Sequence, residues 1–429
     1  MKALTKISIG FLALAAAALW FTSCSSEDVA SGTNQGKMSS LTLTINTGKS
    51  MGSRATDWTT AGPAGNDENQ INRITVGIFS SDGKTLRTIV ELGSGDGTKN
   101  TFKSETNGAS TTIVTNSLTD GDLIKVAVNA PKNHFVGIKK ASDFQAKSEE
   151  AKDALTNSTD LTKEACNNNV PMYGEGTLTP KNSGDKSVFK VNGEKVTVKH
   201  MLAKVTLESL GVDFKAGSAY ANAEFTPVAA FLINVPDKMD FTTNVWNSGA
   251  ALLHGWSAYD TSDGTNCTFN YAAGNSGSGT YAQYLTTENL TSATPLSGTT
   301  SPGTVTSKAW FYTLPNDRVD NGAAVTNNTK LVIAGKFTEN KSATSPKTEM
   351  VYYSLPINAT YDASQHKYVK PANGDGSAFQ VCPNQNYKCS VIIRTKGSSN
   401  PNTNLTPQEA EIKVEVTDFV DVTQNAEFN

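Results

Sequence analysis

The segment Met38–Ala55 opens with a strict alternation of apolar and polar residues. Leu41, Leu43 and Ile45 alternate with threonine and asparagine, which predicts a β-strand with one buried face. The chain then continues through glycine, serine and lysine, which pack poorly, to Arg54-Ala55. This pattern agrees with an ordinary first strand and loop. It also agrees with a strand that is removed by cleavage at a basic residue in a flexible segment.

Short alternating segments separated by turn residues dominate the rest of the chain. The predicted strands are Ile71–Phe79, Leu86–Leu92, Ser110–Leu118, Leu123–Asn129, Val170–Leu178, Met201–Leu210, Trp310–Leu314, Leu331–Phe337, Val351–Ile357 and Tyr387–Arg394. Ser81–Gly83 predicts a hairpin turn, and Asn192-Gly193 predicts a second hairpin within Val188–Val198. Thr226–Val235 is almost continuously apolar, which predicts a strand buried on both faces.

Helical periodicity is rare. Ser142–Gln145 fits a capping box and predicts a helix over about Asp143–Leu155. The long stretch Asn244–Ser307 is rich in glycine, serine, threonine and asparagine, so we expect extended loops with short strands there. Many short strands with few short helices predict an all-β fold, and the number of strands fits two β-sandwich domains that meet near His200.

The chain ends on a long alternating segment, Ala410–Phe428, after which no later strand follows. Its apolar residues all occupy even positions, interrupted by Asp418 and Gln424: Ala410, Ile412, Val414, Val416, Val420, Val422, Ala426 and Phe428. Strict alternation places them on one face of a strand. The chain therefore carries a strand without an evident partner at each end.

Residues 1–24 have the pattern of a targeting segment. Lys2 and Lys6 precede the apolar run Ile7–Phe21, which at about 15 residues is too short to span a membrane and suits a secretory signal. The run ends at Phe21–Cys24, which resembles the lipobox of bacterial lipoproteins, with phenylalanine in place of the usual leucine. We expect Cys24 to be lipidated and to become the N-terminus after cleavage. A plain secretory signal is the alternative.

Charge and motifs argue against several functional classes. The 37 Lys+Arg and 40 Asp+Glu residues give a net charge of −3, so no basic field exists to hold nucleic acid. The four histidines lack metal-ligand spacing, and we find no HExxH, GxSxG, Walker or EF-hand motif. Gly93–Gly97 and Asp260–Thr265 are more typical of surface turns than of phosphate or calcium sites. We therefore expect no enzyme, no catalytic residue, no metal site and no cofactor.

Four cysteines remain besides Cys24. Cys382 and Cys389 lie close in sequence, while Cys166 and Cys267 lie far from them and from each other. In an exported protein these residues either pair or stay as free, buried thiols, and the sequence leaves both alternatives open.

Taken in order, several segments resemble the fimbrillins, the FimA-type major fimbrial subunits of Gram-negative gut and oral anaerobes. Besides the lipobox and the early strand, the matching segments are Asn72–Phe79, Met172–Gly176, Met201–Val205, Trp310–Asn316, Asn386–Gly397 and Val414–Phe419. Each is weak alone, but the ordered set with a lipobox is fairly specific. Phe419 departs from the family, where tryptophan is more usual.

The resemblance implies a division of the chain and a maturation path. The segments are a signal peptide (1–24), a propeptide with the removable strand (25–54), an N-terminal domain (55–199), a C-terminal domain (200–408) and a donor strand (409–429). Both domains would be transthyretin-like β-sandwiches of about seven strands. The precursor would reach the outer membrane as a lipoprotein held by Cys24, and an arginine-specific protease would then cut between Arg54 and Ala55.

The resemblance also implies head-to-tail assembly at the cell surface. A neighbour's C-terminal strand would fill the groove vacated by the first strand, with Ile412, Val414, Val416, Val420 and Val422 as its buried side chains. Such β-augmentation restores the lost backbone ladder, and a heterologous contact that does not close propagates as a filament. The implied partners are other copies of this chain and related fimbrial subunits, and the implied function is a stalk pilin that supports adhesion.

Two alternatives stay open at this point. An anchor or tip subunit of the same fimbria is one, although a tip needs no donor strand and an anchor should keep its lipid rather than be cut at Arg54. The other is a surface glycan-binding lipoprotein, for which Trp246, Trp256 and Tyr271 would supply stacking platforms.

Overall fold

The computed structural model describes residues 38–47, 67–97, 100–105, 108–155, 170–182, 185–242, 249–255, 285–288, 290, 295–300, 309–317, 327–362, 364–365, 367–401, 403 and 410–418. All of them belong to one compact unit, Lys37–Asn429. In these ranges no helix combines the length and the apolar character needed to cross a membrane.

The first half of the described chain consists of short strands with two five-residue helices. The strands are β1 (Met38–Asn46), β2 (Arg73–Phe79), β3 (Leu86–Ser94), β4 (Thr101–Glu105), β5 (Gly108–Asn116), β6 (Leu123–Val128), β7 (Ser148–Glu150), β8 (Met172–Asn182), β9 (Asp185–Val191), β10 (Val196–Thr197) and β11 (Lys199–His200). The helices are α1 (Ala141–Gln145) and α2 (Ala151–Leu155), and a 3-10 turn covers Asp67–Asn69.

The second half is built from strands alone in its described ranges. They are β12 (Ala203–Val212), β13 (Glu224–Pro236), β14 (Lys238–Asp240), β15 (Leu252–His254), β16 (Thr286–Glu288), β17 (Leu296–Ser297), β18 (Trp310–Thr313), β19 (Lys330–Thr338), β20 (Thr348–Pro356), β21 (Thr360–Asp362), β22 (Lys367–Val369), β23 (Gln385–Ile393) and β24 (Ala410–Asp418).

The first sheet closes on itself. Its strands follow the order β10-β1-β5-β4-β3-β2-β6-β8-β11, and β9 pairs with both β8 and β1. The path β1-β5-β4-β3-β2-β6-β8-β9 therefore returns to β1 as a barrel-like ring. Alternation along each strand sends one set of side chains into the ring, where an apolar core forms. That core includes Leu41, Leu43, Ile74, Val76, Ile113, Val126, Leu178 and Phe189.

The second half is a sandwich of two sheets. The sheet β18-β12-β23-β24 faces the sheet β15-β13-β19-β20, and inward side chains of both form one core. That core includes Val205, Leu207, Tyr387, Val391, Phe225, Leu232, Ile333 and Tyr353. Strand β13 is also buried on its other face, where Ala229, Phe231 and Ile233 pack against β19 and β20, so the prediction of a doubly buried strand there is confirmed.

The all-β class with few short helices is confirmed, and most predicted strands occur within two residues of the predicted bounds. The hairpin predicted at Asn192-Gly193 is wrong. A turn does occur there, with Gly193 at φ +80°, but β9 and β10 do not pair with each other. Both instead run parallel to β1. The division into domains at residue 199 remains a prediction.

The helix predicted over Asp143–Leu155 is interrupted. Asp143 does accept backbone N–H bonds from Lys139 and Lys140, at 3.0 and 3.2 Å, and so caps α1. The chain then leaves the helix and forms β7, which pairs antiparallel with β14, before α2 begins. Glu149 is buried in this pairing. A ladder to a distant strand thus overrides a local helical pattern.

Gly108 shows how tightly β1 is seated. Its φ is +158°, and a Cβ placed on it would lie 1.9 Å from the carbonyl oxygen of Ile45. We expect Gly108→Ala to lower the free energy of unfolding by about 1–3 kcal/mol, as overpacking does elsewhere. Gly93→Ala is the matched control, because a Cβ on Gly93 meets nothing within 4 Å. Urea denaturation of both variants measures the difference, and equal stabilities would contradict the close contact.

Candidate functional site

Strand β1 is hydrogen-bonded along both of its edges. On one side it pairs antiparallel with β5 over its whole length, from Met38 opposite Asn116 to Asn46 opposite Gly108. On the other side it runs parallel to β9 at residues 40–42 and to β10 at residues 45–46. β1 is therefore a central strand of the ring, and its loss would leave two unpaired ladders.

The inward side chains of β1 fill the core of the ring. Leu41 and Leu43 have no exposed surface, and Ile45 is 2% exposed. Burying such a side chain stabilises a fold by about 1.5–3 kcal/mol. The three residues predicted as the buried face of a removable strand thus all lie in the core. Thr42, between them, is exposed.

The structure adds a fourth inward position that sequence analysis did not name. Ser39 is 4% exposed and precedes Leu41 by two residues, so it shares the buried face. The groove under β1 therefore holds one small and three large side chains in order. The two-residue spacing was the available signal, but a polar serine did not mark the position as apolar.

A buried ion pair fastens the chain at Glu68, in the 3-10 turn that precedes β2. The Glu68 carboxylate accepts hydrogen bonds from Lys204 Nζ and Tyr312 OH, both at 2.7 Å. All three side chains are almost fully buried, and Lys204 Nζ lies 5.3 Å from the centre of the Trp310 ring. Low dielectric strengthens the pair, while burial makes either charge costly without the other.

His200 holds the backbone of the same turn. Its Nε2 donates to the Glu68 carbonyl oxygen at 2.9 Å, because a carbonyl can only accept. Its own backbone N–H donates to Asn384 Oδ1 at 3.3 Å. Burial lowers the pKa of His200, so the ring stays neutral at physiological pH. Glu68 is thus tied through its side chain to β12 and β18 of the second half and through its backbone to β11 at the end of the first half.

Asn129 secures the chain between this turn and β2. Its Oδ1 accepts from the backbone N–H of Asn72 at 2.9 Å, and its amide donates to the carbonyls of Gln70 and Val170 at 2.8 and 3.1 Å. Asn129 has φ +58°, a conformation that asparagine tolerates better than most residues. The segment from residue 68 to β2 is therefore fixed at both ends.

Strand β24 lies at the edge of its sheet. It pairs antiparallel with β23 over nine residues, from Gln385 opposite Asp418 to Ile393 opposite Ala410. Ala410 and Val414 are buried in the core of the sandwich. In this monomer the C-terminal strand therefore occupies one ladder of its own domain, whereas β1 occupies two.

Other predicted residues lie outside what the structure describes. These are Cys24, Arg54, Ala55, Val420, Val422, Cys166, Cys267, Trp246, Trp256 and Tyr271, as well as the side chains of Ile412 and Val416. Cys382 and Cys389 are free and buried. Of the two possibilities, a disulfide or free thiols, these two residues therefore show the second. Burial raises the pKa of Cys382 to about 11 and that of Cys389 to about 12, so neither is a reactive thiolate at neutral pH.

Within the ranges that the structure covers, no group of three or more histidine, cysteine, aspartate or glutamate side chains is arranged to hold a metal ion. The prominent feature is the slot that β1 fills in the closed sheet, which is lined by apolar side chains and by two backbone edges. Such a slot recognises an extended strand.

Comparison with known proteins identifies relatives of this chain. Residues 39–209 match the family of the major fimbrial subunit protein FimA, a span that contains the whole ring with β1. No curated protein sequence matches the chain.

Solved structures share the fold at low sequence identity. A fimbrilin of Porphyromonas gingivalis W83 superposes with a TM-score of 0.55 at 16% identity, covering 91% of this chain and 99% of that chain. A candidate cell adhesion protein of Parabacteroides distasonis gives 0.57 at 17% identity, covering 90% and 99%. One from Bacteroides eggerthii gives 0.53 at 19% identity, covering 90% and 98%. These likenesses establish the fold across nearly the whole chain.

The ion pair between Glu68 and Lys204 can be tested by mutation. Glu68→Gln keeps a similar shape but removes the carboxylate charge that pairs with the buried Lys204 ammonium, so we expect a loss of about 3–5 kcal/mol in the free energy of unfolding. Glu194→Gln is the control, because its pair with Lys190 lies at the surface, with Glu194 81% exposed. Chemical denaturation should show a large loss for the first variant and none for the second. Similar stabilities would mean that the pair does not hold the turn.

Proposed function

We propose that the chain is a fimbrillin-family protein and a stalk subunit of a surface fimbria that polymerises by strand exchange. In this proposal the precursor is lipidated at Cys24, exported to the outer membrane and cut after Arg54. The released first strand leaves a groove that a neighbouring copy's C-terminal strand fills. The resulting fibre supports adhesion, the general role of its relatives.

One observation carries the proposal. β1 is a central strand of a closed ring, yet all the strands with which it pairs follow it in the sequence, beyond residue 66. A single cut within residues 47–66 separates the strand covalently from every residue with which it pairs. A central strand whose partners lie on both sides of it in the sequence has no such property.

Opening the ring supports assembly on physical grounds. Without β1, the edges of β5, β9 and β10 lose their hydrogen-bond partners, and the core side chains beneath them meet water. Unpaired buried backbone groups and exposed apolar surface are both unfavourable. A cleaved subunit is therefore driven to bind an extended strand of matching alternation.

The position of β24 supports it as the donor. An edge strand can detach by breaking one ladder, whereas a central strand must break two. In the groove of a neighbour β24 would gain two ladders in exchange for one. Because a donor and its acceptor use different surfaces, each added copy presents a new groove or a new strand, and the chain of contacts stays open.

Arg54 allows a direct test of the cleavage step. We expect Arg54→Ala to keep β1 in place and to give a stable monomer that forms no fibres. Lys49→Ala is the matched control, since it removes the other basic residue of the same segment and should leave Ala55 as the N-terminus of the surface form. N-terminal sequencing and electron microscopy measure both results. Fibres built from uncut Arg54→Ala protein would refute the proposal.

A reversible disulfide tests the donor role of β24. Lys388 and Glu415 lie opposite each other in the β23–β24 ladder, on the side away from the core. We expect Lys388→Cys/Glu415→Cys protein to stay monomeric after cleavage while oxidised, because β24 cannot leave, and to polymerise once reduced. Deleting the strand is a weaker test, since this also uncovers β23.

The control for this lock is a second disulfide in the same half of the chain. Thr338 and Thr348 lie opposite each other between β19 and β20, so a cysteine pair there leaves β24 free. Both variants carry serine at Cys166 and Cys267, and the buried thiols remain. Polymerisation measured by light scattering should respond to reduction only in the β24 lock. Equal polymerisation of its oxidised and reduced forms would show that β24 serves its own sandwich alone.

A further inference from the structure

We propose that the strand entering the groove docks in one register, with Ala410, Ile412, Val414 and Val416 replacing Ser39, Leu41, Leu43 and Ile45. This inference rests on the proposed function, since it specifies which residues of the neighbour's strand occupy which positions in the groove. The structure supplies the shape of the groove through the residues of β1 that now fill it. The sequence of the C-terminal segment supplies the candidates.

The groove demands a particular order of sizes. Its first inward position holds Ser39, which is almost fully buried, so the space there is filled by a small side chain. The next three inward positions hold Leu41, Leu43 and Ile45, all within the core. An interior packed to this density resists a larger side chain at the first position and one as small as alanine at the others, whereas the loss of a single methylene costs less.

The C-terminal segment contains this order once. Starting from Ala410, alternate residues read alanine, isoleucine, valine and valine, and the next is Asp418. In the proposed register, Asp418 falls two residues beyond Ile45, where Thr47 is partly exposed and β1 has ended. The aspartate thereby escapes burial and marks the end of the inserted strand.

Neighbouring registers are worse for identifiable reasons. A shift of two residues one way places Ile412 in the small site and Asp418 in the site of Ile45, which buries an unpaired charge. A shift the other way places Gln408 in the small site and Ala410 in the site of Leu41, which leaves a cavity. A shift of one residue turns the charged face inward.

Registers that use the residues after Asp418 also fail. With Val420 and Val422 in the sites of Leu41 and Leu43, Asp418 would occupy the small site and Gln424 that of Ile45. The proposed register instead carries Val420 and Val422 past the end of β1. They would therefore contact the acceptor outside the groove of β1. The four inward residues Ala410, Ile412, Val414 and Val416 would determine which strand fits the groove.

The polar face of the strand fits the same register. Glu411, Lys413 and Glu415 would take the places of Ser40, Thr42 and Thr44, none of which is fully buried. Lys413 would then lie opposite Thr112 of the acceptor, since Thr42 does so now. Both Thr42 and Thr112 are exposed, so cysteines at these places leave the core undisturbed.

Intermolecular disulfides test the register. The acceptor carries Thr112→Cys, and separate donors carry Glu411→Cys, Lys413→Cys or Glu415→Cys, all with serine at Cys24, Cys166 and Cys267. The precursors are cut with an arginine-specific protease, mixed and oxidised mildly. We expect Lys413→Cys to cross-link at least about tenfold faster than the others, because diagonal partners lie about 7–8 Å apart, beyond the usual disulfide range.

The outcomes separate the register from the proposed function. Precursor with Thr42→Cys/Thr112→Cys is the positive control, since these residues are direct neighbours and should cross-link within one chain. Preferred cross-linking through Glu411→Cys or Glu415→Cys would overturn the register while leaving strand exchange intact. Polymers that cross-link through none of the three donors would also overturn it. If none of the cut proteins polymerises, including one without added cysteines, strand exchange itself has failed.

Discussion

The structure depends on one constraint: a sheet that closes into a ring cannot lose a central strand and remain closed. β1 supplies two backbone ladders and three fully inward apolar side chains, and the core beneath it has no other cover in the described chain. Its removal therefore creates a defect whose shape is that of a strand. The closure that stabilises the uncut chain would, after the proposed cut, leave a groove that binds an extended strand and no other kind of segment.

The open groove can bind a strand only if the remaining strands of the ring keep their positions after β1 leaves. The contacts of Glu68 and Asn129 fix residues 68–72, just before β2, so in the proposed mechanism they hold the part of the chain that stays while β1 leaves. Glu68 is held by Lys204 and Tyr312, which belong to the sandwich and not to the ring. The start of the retained chain is thereby fixed by contacts that do not involve β1. A buried ion pair adds little net stability compared with apolar packing, but it specifies one position for the turn.

Local patterns predicted the strands, because the two-residue period follows from strand geometry whatever the partner. The alternation of β1 and the continuous apolar run of β13 both proved informative. Pairing was harder, since β9 and β10 join β1 through contacts over 140 residues away in sequence. Glu68 could not be found, because nothing marks one carboxylate in a polar stretch as buried. Lys204 did carry a signal, for a lysine between Ala203 and Val205 of a predicted strand needs a nearby counter-charge once it is buried.

In the proposed mechanism cleavage matters for strand exchange because residues 47–66 tether β1 to the ring. While residues 47–66 join β1 to the ring, the strand re-enters its groove at an effective concentration on the order of millimolar, against which a neighbour's strand competes poorly. A cut removes that advantage without altering a single contact in the groove. The released strand then dilutes away, whereas a donor strand stays attached to a folded subunit that makes further contacts of its own. In the proposed mechanism chain connectivity would thus control assembly, because the interactions that hold β1 in the uncut chain are those that a neighbour's strand would form after the cut.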